Sequence, residues 1–127
     1  MEKDILDTIL ANHQIKTVFQ PIISLQDGKV LPYEALSRFW YERETIAPLD
    51  LFDVAKLYNR ESDLEILCLN KALETAQGHH FMSHPYNNKL FINISPCLFS
   101  EEVIDPKFTT DYLNAYNLSP SSVVFEI

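Results

Sequence analysis

Two β-rich runs, Thr17-Val18-Phe19-Gln20-Pro21-Ile22-Ile23 and about Lys29 to Phe39, are separated by little more than the turn Gln26-Asp27-Gly28. A parallel strand pair needs a crossover of a dozen residues or more, so this spacing admits only an antiparallel hairpin. Ahead of it, residues 2–13 read as a short amphipathic helix through Ile5, Leu6, Ile9 and Leu10. Behind it, Trp40 to Ala47 is polar and irregular, and Pro48 suits the first turn of a helix over about Leu49 to Tyr58. Ser62-Asp63-Leu64-Glu65 has the form of a capping box and predicts a longer, well-buried helix to about Gln77, with Gly78 placed to end it. Leu90-Phe91-Ile92-Asn93-Ile94 reads as a strand buried on both faces. A helix near Phe108 to Tyr116 follows, then a second buried strand, Val123-Val124-Phe125-Glu126-Ile127. Helix, strand, helix, strand after the hairpin is the pattern of an α/β fold with parallel strands and right-handed crossovers.

The chain has 127 residues, enough for one domain. Its last residues lie inside a strand, and four strands cannot close a barrel. We therefore expect part of a longer domain whose Val123-Val124-Phe125 edge pairs with something else, in a homodimer or with partner domains. Ten Lys+Arg against 18 Asp+Glu give a net charge of −8. That balance argues against a grip on a nucleic-acid polymer, yet leaves room for a phosphorylated ligand held through a metal. With only two glycines, Gly28 and Gly78, neither a G-x-G-x-x-G loop nor a P-loop can be written. The charged N-terminus and the lack of any 18-residue apolar run predict neither a signal peptide nor a membrane segment, which makes a cytoplasmic location the default.

Several polar residues fall inside these strands. Side chains alternate along a strand, so Glu34, Leu36 and Arg38 share one face of the second, while Asn93 and Glu126 lie near the C-terminal ends of the third and fourth. Gln20 lies in the middle of the first. An ionised carboxylate in an apolar strand is costly unless paired or metal-bound. Two carboxylates and an amide form an oxygen-only set suited to Mg²⁺, Mn²⁺ or Ca²⁺. The structural alternative satisfies each separately: Glu34 by Arg38, Asn93 by backbone, Glu126 by a neighbouring strand. Phe39, Trp40 and Tyr41 could stack on a base, but packing is the simpler reading. His79, His80 and His84 with Cys68 or Cys97 fit no zinc spacing, and the acidic stretch from Glu42 to Asp53 reads as a solvated face.

Phe19-Gln20-Pro21-Ile22, the turn Gln26-Asp27-Gly28-Lys29 and Tyr33-Glu34-Ala35-Leu36-Ser37-Arg38 together resemble the opening of the EAL domain, the cyclic-di-GMP phosphodiesterase module of bacteria. Glu34-Ala35-Leu36 is its signature tripeptide. The resemblance continues in order through Pro48-x-x-Leu51-Phe52-x-x-Ala55, Lys71-Ala72-Leu73, Phe91-Ile92-Asn93-Ile94-Ser95-Pro96 and Val124-Phe125-Glu126-Ile127. It implies a TIM-like (β/α)8 barrel with an antiparallel first strand, of which this chain would supply about half: an N-terminal helix over 1–14, then a partial EAL domain over 15–127. It also implies that Glu34, Asn93 and Glu126 are metal ligands in a two-metal Mg²⁺ or Mn²⁺ site, with Glu34 catalytic. Gln20, Leu36 and Arg38 would contact cyclic-di-GMP, with Arg38 facing a phosphate. The implied reaction opens cyclic-di-GMP to linear pGpG by metal-assisted attack of water. The family's paired aspartates, lysine and later glutamates would fall beyond residue 127, and Lys56 stands where an acidic residue is usual. The alternative is an inactive module that acts as a cyclic-di-GMP receptor or protein-interaction domain.

Overall fold

The computed structural model describes residues 2–28, 30–79, 88–95 and 106–127. Among these, α1 (Glu2–Asn12) leads into the hairpin of β1 (Ile15–Ile23) and β2 (Val30–Tyr41). A short β3 (Glu44–Ile46), α2 (Pro48–Leu57), α3 (Glu61–Gln77), β4 (Leu90–Asn93), α4 (Pro106–Ala115), a 3-10 turn (Pro120–Ser122) and β5 (Val123–Glu126) follow. β1 and β2 pair antiparallel, whereas β2, β4 and β5 run parallel in that order. Gly28 makes the hairpin turn possible: its φ is +70°, and its N–H donates to the Ser24 carbonyl at 2.9 Å.

All the described helices contribute to one face of this sheet. α1 buries Leu6 and Ile9 with Ile15, Phe39, Leu51, Ala55 and Leu64, and α3 buries Leu69, Ala72, Leu73 and Ala76 with Leu90, Ile92 and α4's Leu113. Phe19, Tyr33, Ala35, Val123 and Phe125 pack against that second cluster. Each fully buried Leu or Ile adds about 1.5–3 kcal/mol, so α1 is fixed to the sheet by two such residues. By alternation and register, Lys16, Val18, Gln20, Glu34, Leu36, Arg38, Trp40, Phe91, Asn93, Val124 and Glu126 belong to the opposite face. Among the described residues no helix covers it.

With glycine scarce, other residues take the left-handed positions. His13 (φ 51°), Asn59 (55°) and Asn117 (59°) follow α1, α2 and α4. In each case the next residue's N–H reaches back five positions: Gln14 to Ile9, Arg60 to Ala55 and Leu118 to Leu113, at 3.1, 2.8 and 3.0 Å. These are Schellman caps with Asn or His in glycine's place.

Three expectations need correction. Trp40 to Ala47 is not irregular, because Glu44–Ile46 folds back on β2 through Glu42 (φ 49°) and Arg43 (φ 69°), a two-residue turn of the type hairpins favour. Among the described residues the sheet therefore has five strands rather than four. The capping box is unused: Arg60 stands at the N-cap of α3, and Ser62 lies inside the helix. The Schellman cap of α2 ends on Arg60, so α3 begins before Ser62 can cap it. Finally, β5 is half-buried along its length, not buried.

Candidate functional site

The site is built where β2 changes partners. On the edge away from β1, its Tyr33–Ala35 segment pairs with β4, and its Phe39–Tyr41 segment pairs with β3. Between them, Leu36, Ser37 and Arg38 pair on that edge with no strand among the described residues, and a cleft of about 440 Å³ opens there. Leu36 and Arg38 line it from β2, Asn93 and Ser95 from the end of β4, Glu126 from the end of β5, and Glu65 and Cys68 from α3. The opening lies at the C-terminal ends of the parallel strands, where α/β sheets place their ligands.

The register brings the sequence-derived residues together. Asn93 pairs directly with Glu126, and Gln20 directly with Glu34. Leu36 would continue the same level as Asn93, with Glu34 one step below on the same face. Gln20, Glu34, Leu36, Arg38, Asn93 and Glu126 thus share one face of one sheet. Glu34 does not ion-pair with Arg38 among the described residues; the guanidinium donates instead to the Ser37 carbonyl at 3.1 Å. Among the described residues Glu34 therefore lacks the Arg38 partner that the structural alternative gave it.

The electrostatics are unresolved within the chain itself. Burial, then the charge of Glu126, then their side-chain contact push the Glu34 carboxyl above its ordinary 4.5. Glu126 Oε1 is buried without a hydrogen-bond partner. A like-charged pair containing an orphaned oxygen is electrostatically incomplete in a way that a cation would relieve, and Asn93 adds a neutral oxygen at the same level. The donor set fits a hard divalent ion. No group of three or more His, Cys, Asp or Glu gathers among the described residues. His80, His84 and Cys97 lie outside those residues, so the imagined zinc cluster has only His79 and Cys68 within them.

One residue escaped sequence reasoning. Glu65 Oε2 accepts the Ser95 N–H at 3.0 Å and so ties α3 to the strand end that carries Asn93. Burial raises its pKa first, against the lowering effect of the Ser95 hydrogen bond; the charge of Glu61 raises it further, and that of Lys56 lowers it. The only signal for it in sequence was the S-x-x-E pattern, which pointed to a cap. Beside it, burial pushes the Cys68 thiol up to about 11, so it stays protonated and inert. Of the aromatic trio, Phe39 is core at 1% exposure, whereas Trp40 is 38% exposed.

The family model "EAL domain" matches residues 2–127. A curated relative, the "Probable cyclic di-GMP phosphodiesterase PdeB" of Escherichia coli (strain K12), is 29% identical over 125 residues, covering 96% of this chain and 23% of its own length. The chain is also similar to the PaMucR phosphodiesterase in its c-di-GMP complex (TM-score 0.82, 19% identity), covering 99% of this chain and 51% of that one. The FimX EAL domain from Pseudomonas aeruginosa bound to c-di-GMP gives a TM-score of 0.74 at 23% identity, covering 98% and 48%. The chain thus spans about half of the solved chains and about a quarter of the curated relative.

Proposed function

Because the chain belongs to the EAL domain family and carries about half of its TIM-like (β/α)8 barrel, we propose that it supplies one wall of a cyclic-di-GMP phosphodiesterase site. The observation that carries this reading is the convergence of Glu34 and Glu126, mutually repelling and with one oxygen orphaned, beside Asn93. In the proposal these three hold a divalent cation, Mg²⁺ or Mn²⁺. When bound, such an ion lowers the pKa of a water and absorbs charge developing on the phosphate. The chain's own residues do the rest. Arg38 reaches the same opening from β2 and offers its guanidinium to a phosphate of the dinucleotide. Leu36 supplies an apolar wall, and Gln20, opposite Glu34, supplies an amide to the same face. Glu65 holds the β4 end at Ser95 and so keeps Asn93 in place.

The three ligands present are fewer than two ions about 3.5–4 Å apart would require, so residues 1–127 alone should not turn over cyclic-di-GMP. In a complete domain carrying these residues, Glu34→Gln should nearly abolish hydrolysis, with added Mn²⁺ giving little rescue. Linear product is followed by chromatography. Near-normal turnover in that variant would remove Glu34 from the mechanism. Binding of cyclic-di-GMP without turnover in the complete wild-type domain would replace the hydrolase with a receptor.

A further inference from the structure

Among the described residues, the helix-covered face of the sheet holds two cores. Where β1 pairs with β2, Ile15 and Phe39 are partners and belong to the cluster built on α1, α2 and Leu64 of α3. Four residues along, Phe19 and Ala35 are partners and pack against the other cluster, built on the C-terminal half of α3, β4 and α4. The row between them is polar, with Thr17 opposite Ser37. Thr17 is only 9% exposed, and its Oγ1 is buried without a hydrogen-bond partner. Ser37 is in hydrogen-bond contact with Cys68, the point at which α3 passes from one core to the other. We propose that α1, α2 and the first turns of α3 form a jaw that opens as a unit along this Thr17–Ser37 seam, parting from Ser95 while β4 and β5 stay paired. The inference concerns the wall of the cleft and does not depend on what the cleft binds.

The jaw is fastened within itself at Arg60. The Arg60 N–H closes the cap of α2 on the Ala55 carbonyl at 2.8 Å, and its own carbonyl accepts the Leu64 N–H at 3.1 Å. Its guanidinium donates to Asp63 of α3 at 2.7 Å and to Asp7 of α1 at 3.2 Å. Leu64 is fully buried in one cluster with Leu6 and Ile9 of α1, so the same turn of α3 is also held by packing. The three helix segments therefore move together or not at all.

What joins the jaw to the strands is weaker. Glu65, next to Leu64, lines the cleft and holds the Ser95 N–H at 3.0 Å. The preceding amide, Ile94, bonds instead to the Glu126 carbonyl at 2.8 Å, within the strand layer. At the seam, opening exposes a polar row rather than apolar contacts, and it gives the Thr17 hydroxyl the water that the closed form denies it. The lining of the cleft divides along the same boundary: Phe52, Lys56 and Glu65 come from the jaw, and Asn93, Ser95 and Glu126 from the strands. Opening the jaw thus widens the cleft, and a pull on α1 reaches it through Leu64 and Glu65.

Native-state amide hydrogen exchange on the metal-free chain tests this, because the adjacent amides of Ile94 and Ser95 report on the two sides of the boundary. Ile9→Val removes one methylene from the jaw's core and should accelerate Ser95 exchange about fivefold. Leu113→Val removes one from the other core and should accelerate Ile94 exchange while leaving Ser95 unchanged. Thr17→Val puts a methyl in place of the orphaned hydroxyl, joins the two cores and should slow Ser95 exchange about tenfold. Each change is small enough to keep the fold, which far-UV circular dichroism checks. A Ser95 amide that follows Leu113→Val would reveal one cooperative core and overturn the proposal. A Ser95 amide that ignores Ile9→Val or Thr17→Val overturns it too, as does an Ile94 amide that ignores Leu113→Val. No cation or nucleotide enters these measurements, so their failure is distinct from failure of the phosphodiesterase reading.

Discussion

Replacing Glu126 by Gln should stabilise the metal-free protein and destabilise the metal-loaded one. In the wild type, Glu34 and Glu126 are in side-chain contact, and Glu126 Oε1 is buried without a partner. Two unit charges about 4 Å apart repel by about 1 kcal/mol in water and about 4 kcal/mol at an effective dielectric of 20. Glu34 is only partly buried, so the lower figure applies: E126Q should gain about 1 kcal/mol at pH 7 in EDTA, or about 3–5 °C in Tm. The gain depends on pH in a definite direction. The folded-state pKa of Glu34 lies above its ordinary 4.5, so between those two values the folded chain holds more protons than the unfolded one. Stability therefore falls as pH rises through that window, and the penalty is complete above it. Removing the Glu126 charge removes the second-largest cause of the shift, so the advantage of E126Q should be full at pH 7 and shrink as pH falls towards 4.5. Saturating Mn²⁺ reverses the order, because an ion at a hundred times its Kd stabilises the wild type by about 2.7 kcal/mol and a variant lacking one ligand by less. Differential scanning calorimetry at pH 7 and pH 4.5, with EDTA or Mn²⁺, reads all four conditions. A wild type more stable than E126Q in EDTA at pH 7, or a difference indifferent to pH and metal, would refute the cation-site argument.

Glu65→Leu should accelerate amide hydrogen exchange at Ser95, because the 3.0 Å acceptor is lost, whereas Glu65→Gln keeps an acceptor oxygen and should leave protection near wild type; equal protection in all three would show that Glu65 does not hold the strand end. Asn117→Ala should cost about 1 kcal/mol, or about 3–5 °C in Tm, because a methyl side chain in left-handed backbone has no local hydrogen bond to offset its clash. Asn117→Gly should be close to neutral, and an Ala variant as stable as wild type would remove the strain from that cap.

Local constraints were legible in the sequence, and the residues whose roles are tertiary were not. Five residues between two β-rich runs leave one geometry, so the antiparallel start of an otherwise parallel sheet follows from chain length alone. The period of two then places Glu34, Leu36 and Arg38 on one face, and parallel register carries that face to Asn93 and Glu126. The β3 hairpin was missed because its turn is Glu42-Arg43, without the Asn or Gly that usually marks positive φ. The unused capping box has the same kind of cause. Ser62 and Glu65 are correctly spaced for reciprocal capping, but the Schellman cap at Asn59 starts α3 too early. Glu65 then serves Ser95, thirty residues away, a contact no local pattern encodes. The cleft arises in the same way. It exists because one edge of β2 is shared between β3 and β4, leaving Leu36, Ser37 and Arg38 unpaired between them, and β3 was the strand that could not be read. That places Arg38 between this cleft and a neighbouring concavity, with Glu126 lining one and Lys16 the other.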